Sequence, residues 1–423
     1  MTLRRAAAAL VLAGLILAGC TSGSQGPPEA TVPPSDATGA LTVWLMDGSQ
    51  TSEVIEATES AFTDRYPGVE VAVELQQWAG IQDKLAAALD SGSPPDVVEI
   101  GNSLTARYAD AGLLADLAPW APDFDIAAML PGLQPPGELG GVRYGVPYYG
   151  GVRVVVHNRA QFEDAGVAAP TSLAELEEAA AALAAANADN EAYSAFWFPG
   201  RNWTGALPFI WDAGGQIATQ ADGTWTGALD SPESRAGLQT LKDLVQAYSK
   251  APVDSDDTKN LEEFQTGDVG MMIDSWWAPG ALANGPLKAD VGAFALPGTQ
   301  PGSTAPVYIG GSDLAIPARS AQPALAAQWI RDLSGTQVQT LLAGAGVIPN
   351  QEEAFSGHRG NPYLAAADRA ATNSRFTPVS PNWPLVESAQ VLPDMLVAIL
   401  SDERTVEQAT AEASAQVASI LGS

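Results

Sequence analysis

Between Leu41 and Gly112 the spacing of apolar residues changes several times, and each change marks an element. Leu41-Thr42-Val43-Trp44-Leu45-Met46 alternates and predicts a strand. Asp47-Gly48-Ser49 is a turn, and Thr51 or Ser52 can cap a helix with Val54, Ile55, Thr58, Ala61 and Phe62 on one face. Tyr66-Pro67-Gly68 stops that helix. Val69, Val71, Val73 and Leu75 alternate as a second strand, and Ile81, Leu85, Ala88 and Leu89 form the next helical stripe, ended by Ser91-Gly92. Pro95 to Ile100 is a third strand, and Leu104 to Ala111 a short helix closed at Gly112. This β-α-β-α-β-α rhythm predicts a mainly parallel sheet with helices on both faces.

Farther on, Gly140 to Pro147 reads as a hairpin and Arg153 to His157 as a β-branched strand. Ser172 and Glu175 form a capping box for an Ala-rich helix reaching about Ala186, read as a solvated flank. Helices are expected at Pro232–Ser249, Leu261–Gln265, Pro323–Leu333, Thr336–Leu342, Leu385–Leu400 and Val406–Leu421, so helices dominate the C-terminal third. No internal repeat is visible.

The N-terminus has a different pattern. Arg4 and Arg5 precede an apolar run from Ala6 to Ala18 that is short for a bilayer span, and Leu17-Ala18-Gly19-Cys20 places small residues at a cut site. Leu-Ala-Gly-Cys resembles a bacterial lipobox, which implies lipidation of Cys20 and an exported chain tethered to the outer face of the cytoplasmic membrane. Thr21 to Gly39 is Ser-, Thr-, Pro- and Gly-rich and is expected to be a disordered spacer. Cys20 is the chain's one cysteine, so no intramolecular disulfide is expected. With 49 acidic against 20 basic residues the net charge is -29, which disfavours nucleic acid and anionic headgroups as partners. Two histidines, His157 and His358, cannot build a His-rich metal site and are read as structural or exposed. Asp254 to Asp257 lacks the glycine and terminal Glu of a calcium loop. No cofactor or metal is expected.

The chain has 11 tryptophans, and several lie beside Gly, Pro or Asn instead of within apolar stripes. Trp78 follows a strand, Trp203 lies in Gly200-Arg201-Asn202-Trp203, Trp276 and Trp277 follow the short strand Val269–Ile273, and Trp383 follows Asn382. Tyr148 and Tyr149 precede Gly150-Gly151. Trp44, Trp211 and Trp329 are instead read as packing residues. Ligands of open α/β sheets sit at the carboxyl ends of strands. Indole faces there, beside amides and Arg, suit a neutral sugar, whose C–H face stacks while its hydroxyl rim takes bidentate partners.

Taken in order, these segments resemble the sugar-binding solute-binding proteins of bacterial ABC importers, the family that includes maltose-binding protein. The resemblance runs through Leu41-Thr42-Val43-Trp44, Phe62 to Val69, Ser91 to Val98, Tyr108 to Leu114, Tyr144 to Tyr148, Phe264 to Met272, Gly310 to Ile316 and the Asn382-Trp383 loop. It implies an α/β, two-lobed periplasmic-binding-protein-like fold with a hinge and an interlobe cleft. The chain would cross between lobes near Gly151, Gly292 and Ser334. The expected organisation is a signal peptide over 1–20, a linker over 21–40, an N-terminal lobe from 41–152 with 293–335, and a C-terminal lobe from 153–292 with 336–423. The resemblance also implies that Trp276 and Trp383 stack on sugar, and that the loops holding Asp47, Gly48, Ser49 and Asn102 supply polar contacts. Trp277, Gly311 and Asn382 join this set from the same matched segments. Trp78, Tyr149, Arg201 and Trp203 enter from loop position.

The expected activity is capture of an oligosaccharide and delivery to an ABC permease by a monomer held to the membrane through its lipid alone. Met46-Asp47-Gly48-Ser49 lacks the Lys and Asp of some maltose binders, and Trp44 to Ser49 is similar to binders of chitobiose-type sugars. Two other classes remain open. A glycosidase needs a pair of cleft carboxylates, for which Asp47, Glu99 and Asp274 are candidates. A binder of a peptide, polyamine or phosphodiester would use carboxylates, or Arg153 and Arg201.

Overall fold

The computed structural model describes residues 32–288 and 290–423. The signal segment, Cys20 and most of the spacer lie outside the described residues. The strands are β1 (Thr38–Met46), β2 (Gly68–Gln76), β3 (Val97–Gly101), the hairpin β4 (Glu138–Leu139) and β5 (Val142–Arg143), the long β6 (Gly145–Asn158), and β7 (Ser194–Trp197). There follow the hairpin β8 (Ala218–Ala221) and β9 (Thr224–Gly227), then β10 (Val269–Ser275), β11 (Val291–Phe294), β12 (Val307–Ala315), β13 (Ile348–Pro349) and β14 (Ser374–Arg375). The first helices are α1 (Ser52–Arg65), α2 (Ile81–Leu89), α3 (Asn102–Asp110), α4 (Arg159–Asp164), α5 (Leu173–Ala186), α6 (Trp203–Asp212), α7 (Pro232–Tyr248) and α8 (Asn260–Gln265). After them come α9 (Ala278–Leu282), α10 (Pro323–Ser334), α11 (Thr336–Gly344), α12 (Leu364–Thr372), α13 (Trp383–Ser388), α14 (Val391–Leu400) and α15 (Val406–Leu421).

One sheet runs through the molecule in the order β2-β1-β3-β12-β6-β10-β7, with β11 and β13 also on β6 and β14 on β12. Pairing is parallel at its two ends, β2 with β1 with β3, and β10 with β7. In the middle β12 runs antiparallel to both β3 and β6, and β6 antiparallel to β10. The expected mainly parallel sheet is therefore correct only at the ends. The centre is two long strands, β6 and β12, that lie side by side and run in opposite directions.

The buried side chains separate accordingly. Leu41, Val43, Leu45, Phe62 and Trp329 pack around the β1 end, with Ile81, Leu85, Val98 and Ile100 on its other face. Phe196, Phe209, Leu241, Ile273 and Leu396 form a second core around the β7–β10 end, with Val152, Val154, Met272 and Ile309 on the opposite face. Val338 and Leu342 of α11 pack in the first of these groups although they lie past Ser334, because α11 rests on α1 and α10. Gly292 lies in β11 opposite His157, at the far end of β6, and not where strands pass between the two cores.

Several local expectations change. The Leu385–Leu400 helix is two helices, broken at Gln390, whose φ of 55° is left-handed. Ser172 caps α5 by accepting from the Glu175 amide, but the Glu175 carboxylate reaches back to Thr171, one residue short of a capping box. β1 begins at Thr38, inside the expected linker. His358 is buried between Asp368 and the Val347 carbonyl, at 2.5 and 2.9 Å.

Candidate functional site

Where β6 and β12 pass each other, pleating puts Tyr149, Gly151 and Arg153 on one face of β6. The register sets Ser312 opposite Tyr149 and Gly310 opposite Gly151, so Ser312, Gly310 and Tyr308 share that face on β12. The other face, with Val152, Val154, Val307 and Ile309, is core. The result is a floor running from Tyr149 to Arg153, with side-chain-free glycines at its centre. Gly311 has φ 148°, and a Cβ there would collide with the Tyr149 carbonyl, so only glycine fits that crossing.

One end of the floor is built around Glu99. Its carboxylate accepts from the Met46 amide at 2.7 Å, the Ser49 hydroxyl at 2.8 Å and the Ser312 hydroxyl at 2.8 Å. The Tyr149 hydroxyl lies 3.1 Å from Ser49 Oγ. Burial pushes the Glu99 carboxyl up to about 7 against those hydrogen bonds, and burial pushes the Tyr149 hydroxyl up to about 12. Asp47 and Gly48 are exposed beside this pin, with Gln77 donating to Asp47 at 3.0 Å. Trp78 is 44% exposed and stands over Gly101. Asn102 opens α3, and its buried side-chain amide nitrogen has no hydrogen-bond partner.

At the other end Arg153 donates to Thr204 at 3.0 Å, to Ser275, and to Asp257 at 3.4 Å. Asp257, at the end of the acidic run Asp254 to Asp257, is thus bound to the floor through Arg153. Arg201 and Trp203 line a cavity of about 200 Å³ beside Arg153, and Arg201 pairs with Asp394 at 2.8 Å. Trp203 is the first residue of α6 and not a loop residue, since the Asn202 side chain caps that helix by accepting from Gly205 at 3.0 Å. The Trp276 ring lies over Gly151, where a Cβ would run into it, and its indole N–H donates to the Gly346 carbonyl at 3.0 Å. Trp277 is 48% exposed next to it.

Two expected contacts offer no free side chain to the floor. Trp383 is 1% exposed, tilted against Trp203 at 6.3 Å, with its indole N–H on Glu387 at 2.9 Å. It packs in the core as the first residue of α13 and offers no free face. Asn382 turns away to the last residue, donating to the Ser423 carbonyl at 2.9 Å. Ser275, Ser312 and Tyr308 line or brace the floor and were not among the expected contacts, while Glu99 and Arg153, named from sequence only for a glycosidase or a phosphodiester site, brace it too. A charged residue inside a β-branched run, as at Val98-Glu99-Ile100 and Arg153-Val154, is the signal that marks those two.

A family model described as bacterial extracellular solute-binding protein matches residues 44–340. The diacetylchitobiose binding protein DasA of Streptomyces coelicolor is 31% identical over 401 residues, covering 91% of each chain. The sugar-binding protein MalE of Xanthomonas citri has a similar structure, with TM-score 0.80 at 21% identity over 90% of this chain and 97% of that one. The cyclic α-maltosyl-1,6-maltose binding protein of Arthrobacter globiformis has TM-score 0.77 at 19% identity over 91% of this chain and 100% of that one. The fold is the expected α/β, two-lobed binding-protein architecture.

Proposed function

Because this chain belongs to the bacterial extracellular solute-binding protein family, we propose that its cleft captures a neutral oligosaccharide, diacetylchitobiose first, and delivers it to an ABC import permease. The observation that carries the reading is the floor itself. Exposed indoles, Trp78 at one end and Trp277 near the other, flank a floor whose central Gly151 is covered by the Trp276 ring and whose border holds Ser49, Tyr149, Asn102, Arg153 and Arg201. The indole faces give pyranose rings a surface to stack on, and the polar border residues suit their hydroxyls. The likeness to DasA favours the diacetylchitobiose ligand.

In this reading the lobes close on the sugar about the Gly150-Gly151 and Gly310-Gly311 crossing. Closure removes water and strengthens each hydroxyl contact, while stacking on Trp78 and Trp277 supplies apolar contact area. We assign α11 to the N-terminal lobe with β1–β3, and residues 291–309 to the C-terminal lobe, following their packing. Asp47, Gly48, Gly311 and Trp276 shape the site, and Trp203 borders it. The mature chain acts as a monomer, anchored by a lipid on Cys20 to the extracytoplasmic face. Binding without hydrolysis is favoured because Glu99 turns its oxygens to Met46, Ser49 and Ser312, away from a ligand's reach.

Thermal shift with diacetylchitobiose, maltose, a tetrapeptide and spermidine, followed by calorimetry, tests the reading. A ligand at 100 times its dissociation constant adds about 2.7 kcal/mol of apparent stability. The expected result is one-to-one binding of a sugar without release of monosaccharide. A shift with the peptide or the amine and with no sugar contradicts it.

A further inference from the structure

A second concavity lies apart from the cleft, between the β8–β9 hairpin and the segment around Phe376. It encloses about 440 Å³. Trp225 and Phe376 supply half-buried aromatic surface to it above the buried Trp211, Gln220 and Arg375 supply exposed polar groups, and Thr377 forms part of its wall. Gln220 and Trp225 are cross-strand partners, so amide and indole stand side by side on one face of the hairpin. That hairpin is fixed in place, because β9 packs on α15 so closely that a Cβ on Gly227 would strike the Ser414 backbone. Thr377 is 3% exposed and forms part of the cavity wall, and its sealed hydroxyl has no hydrogen-bond partner. A small shift of that wall on binding would let a ligand hydroxyl pair with it.

We infer that this concavity is a second carbohydrate-binding groove, taking one or two pyranose rings of an oligosaccharide. Indole and phenyl faces meet the sugar's C–H faces, and Gln220, Arg375 and Thr377 meet its hydroxyls. Among the described residues no carboxylate lines the groove, which disfavours amines. An aromatic row joins it to the cleft. Trp203, on the cleft cavity, lies 5.6 Å from Tyr308, and Tyr308 stacks on Phe376 at 6.1 Å. The inference rests on the cleft reading only for the chemical class of the ligand. The groove holds chains weakly at the side of the C-terminal lobe, raising the local concentration of sugar near the cleft mouth.

The test is calorimetry of the full mature chain with tetra-N-acetylchitotetraose to millimolar concentration, in four proteins: wild type, a Trp78→Ala/Tyr149→Ala cleft variant, Trp225→Ala, and Thr377→Val. Thr377→Val keeps the shape and removes only an unpaired hydroxyl, so it tests the groove even if Trp225→Ala fails to fold. A weak second event is expected in wild type and in the cleft variant, weakened about fivefold or more in Trp225→Ala and Thr377→Val. Those two variants keep the tight event. A wild type with no weak event, or a weak event unaltered in Thr377→Val and folded Trp225→Ala, overturns the groove. A wild type with the weak event and no tight one leaves the groove standing and removes the cleft reading.

Discussion

The Ser49 hydroxyl donates to the Glu99 carboxylate at 2.8 Å, tying the loop after β1 to a residue of β3 that is 0% exposed. Ser312 donates to the same oxygen at 2.8 Å, and the Met46 amide to the other at 2.7 Å. One buried carboxyl therefore holds β1, β3 and β12 together beside Tyr149, at the edge where the floor meets the N-terminal half. A buried acid with all its contacts to neutral donors shapes the loop after β1 and leaves a signature in the pH dependence of stability.

That signature has a definite sign. Burial raises Glu99 from 4.5 to about 7, Asp313 from 3.8 to about 7, and Asp274 and Asp332 from 3.8 to about 6. The folded chain then holds more protons than the unfolded chain between about pH 4 and pH 7, so stability falls as pH rises through that window. Urea midpoints are expected to be higher at pH 5 than at pH 8, and Glu99→Gln is expected to remove up to about 3 kcal/mol of the difference. A midpoint that rises from pH 5 to pH 8 in the wild type contradicts this assignment.

Trp383→Ala is expected to act on stability first. The ring is 1% exposed and braced by Glu387, so its removal opens a core cavity costing about 3–5 kcal/mol. Chemical denaturation reads this directly. A variant as stable as wild type would return Trp383 to the list of stacking residues.

Trp78→Ala is expected to do the reverse. With 44% of the residue exposed, truncation changes stability by about 0.5 kcal/mol or less, while loss of one stacking face weakens sugar binding about tenfold. Calorimetry and a thermal melt on the same sample separate the two effects, and an unchanged dissociation constant removes Trp78 from the site.

Gly311→Ala forces a side chain into φ 148° and against the Tyr149 carbonyl, where β6 and β12 cross. A loss of about 2 kcal/mol or more is expected, as for other strained positions. Gly48→Ala, whose Cβ would meet nothing within 4 Å but whose φ of 87° is also left-handed, isolates the backbone cost from the collision. Equal losses in the two variants would mean that the crossing is not tightly packed at Gly311.

Much of the architecture is written in local pattern. Strand and helix spans such as Leu41–Met46 and Val406–Leu421 follow from alternation, stripe and cap, which neighbouring residues decide. The antiparallel centre is not written there, because which strands meet depends on pairings between β6 and β12 some 160 positions apart in the register Gly151 with Gly310. The site was legible in part. Asn and Pro beside a tryptophan read as loop, yet the same residues begin helices: Asn202 caps α6, and Asn382 and Pro384 sit at the start of α13. Trp78 and Trp277 are exposed and Trp383 is sealed, although all three share that kind of context, because exposure is settled by what packs on top.

Hydrogen exchange in the presence of the sugar giving the largest thermal shift tests the central claim most directly. Protection is expected on both sides of the β6–β12 floor together: at residues 47–50, 76–80 and 101–103 on one, and at 201–204 and 275–278 on the other. Protection confined to one half, or absent from both at saturating sugar, contradicts capture between the lobes.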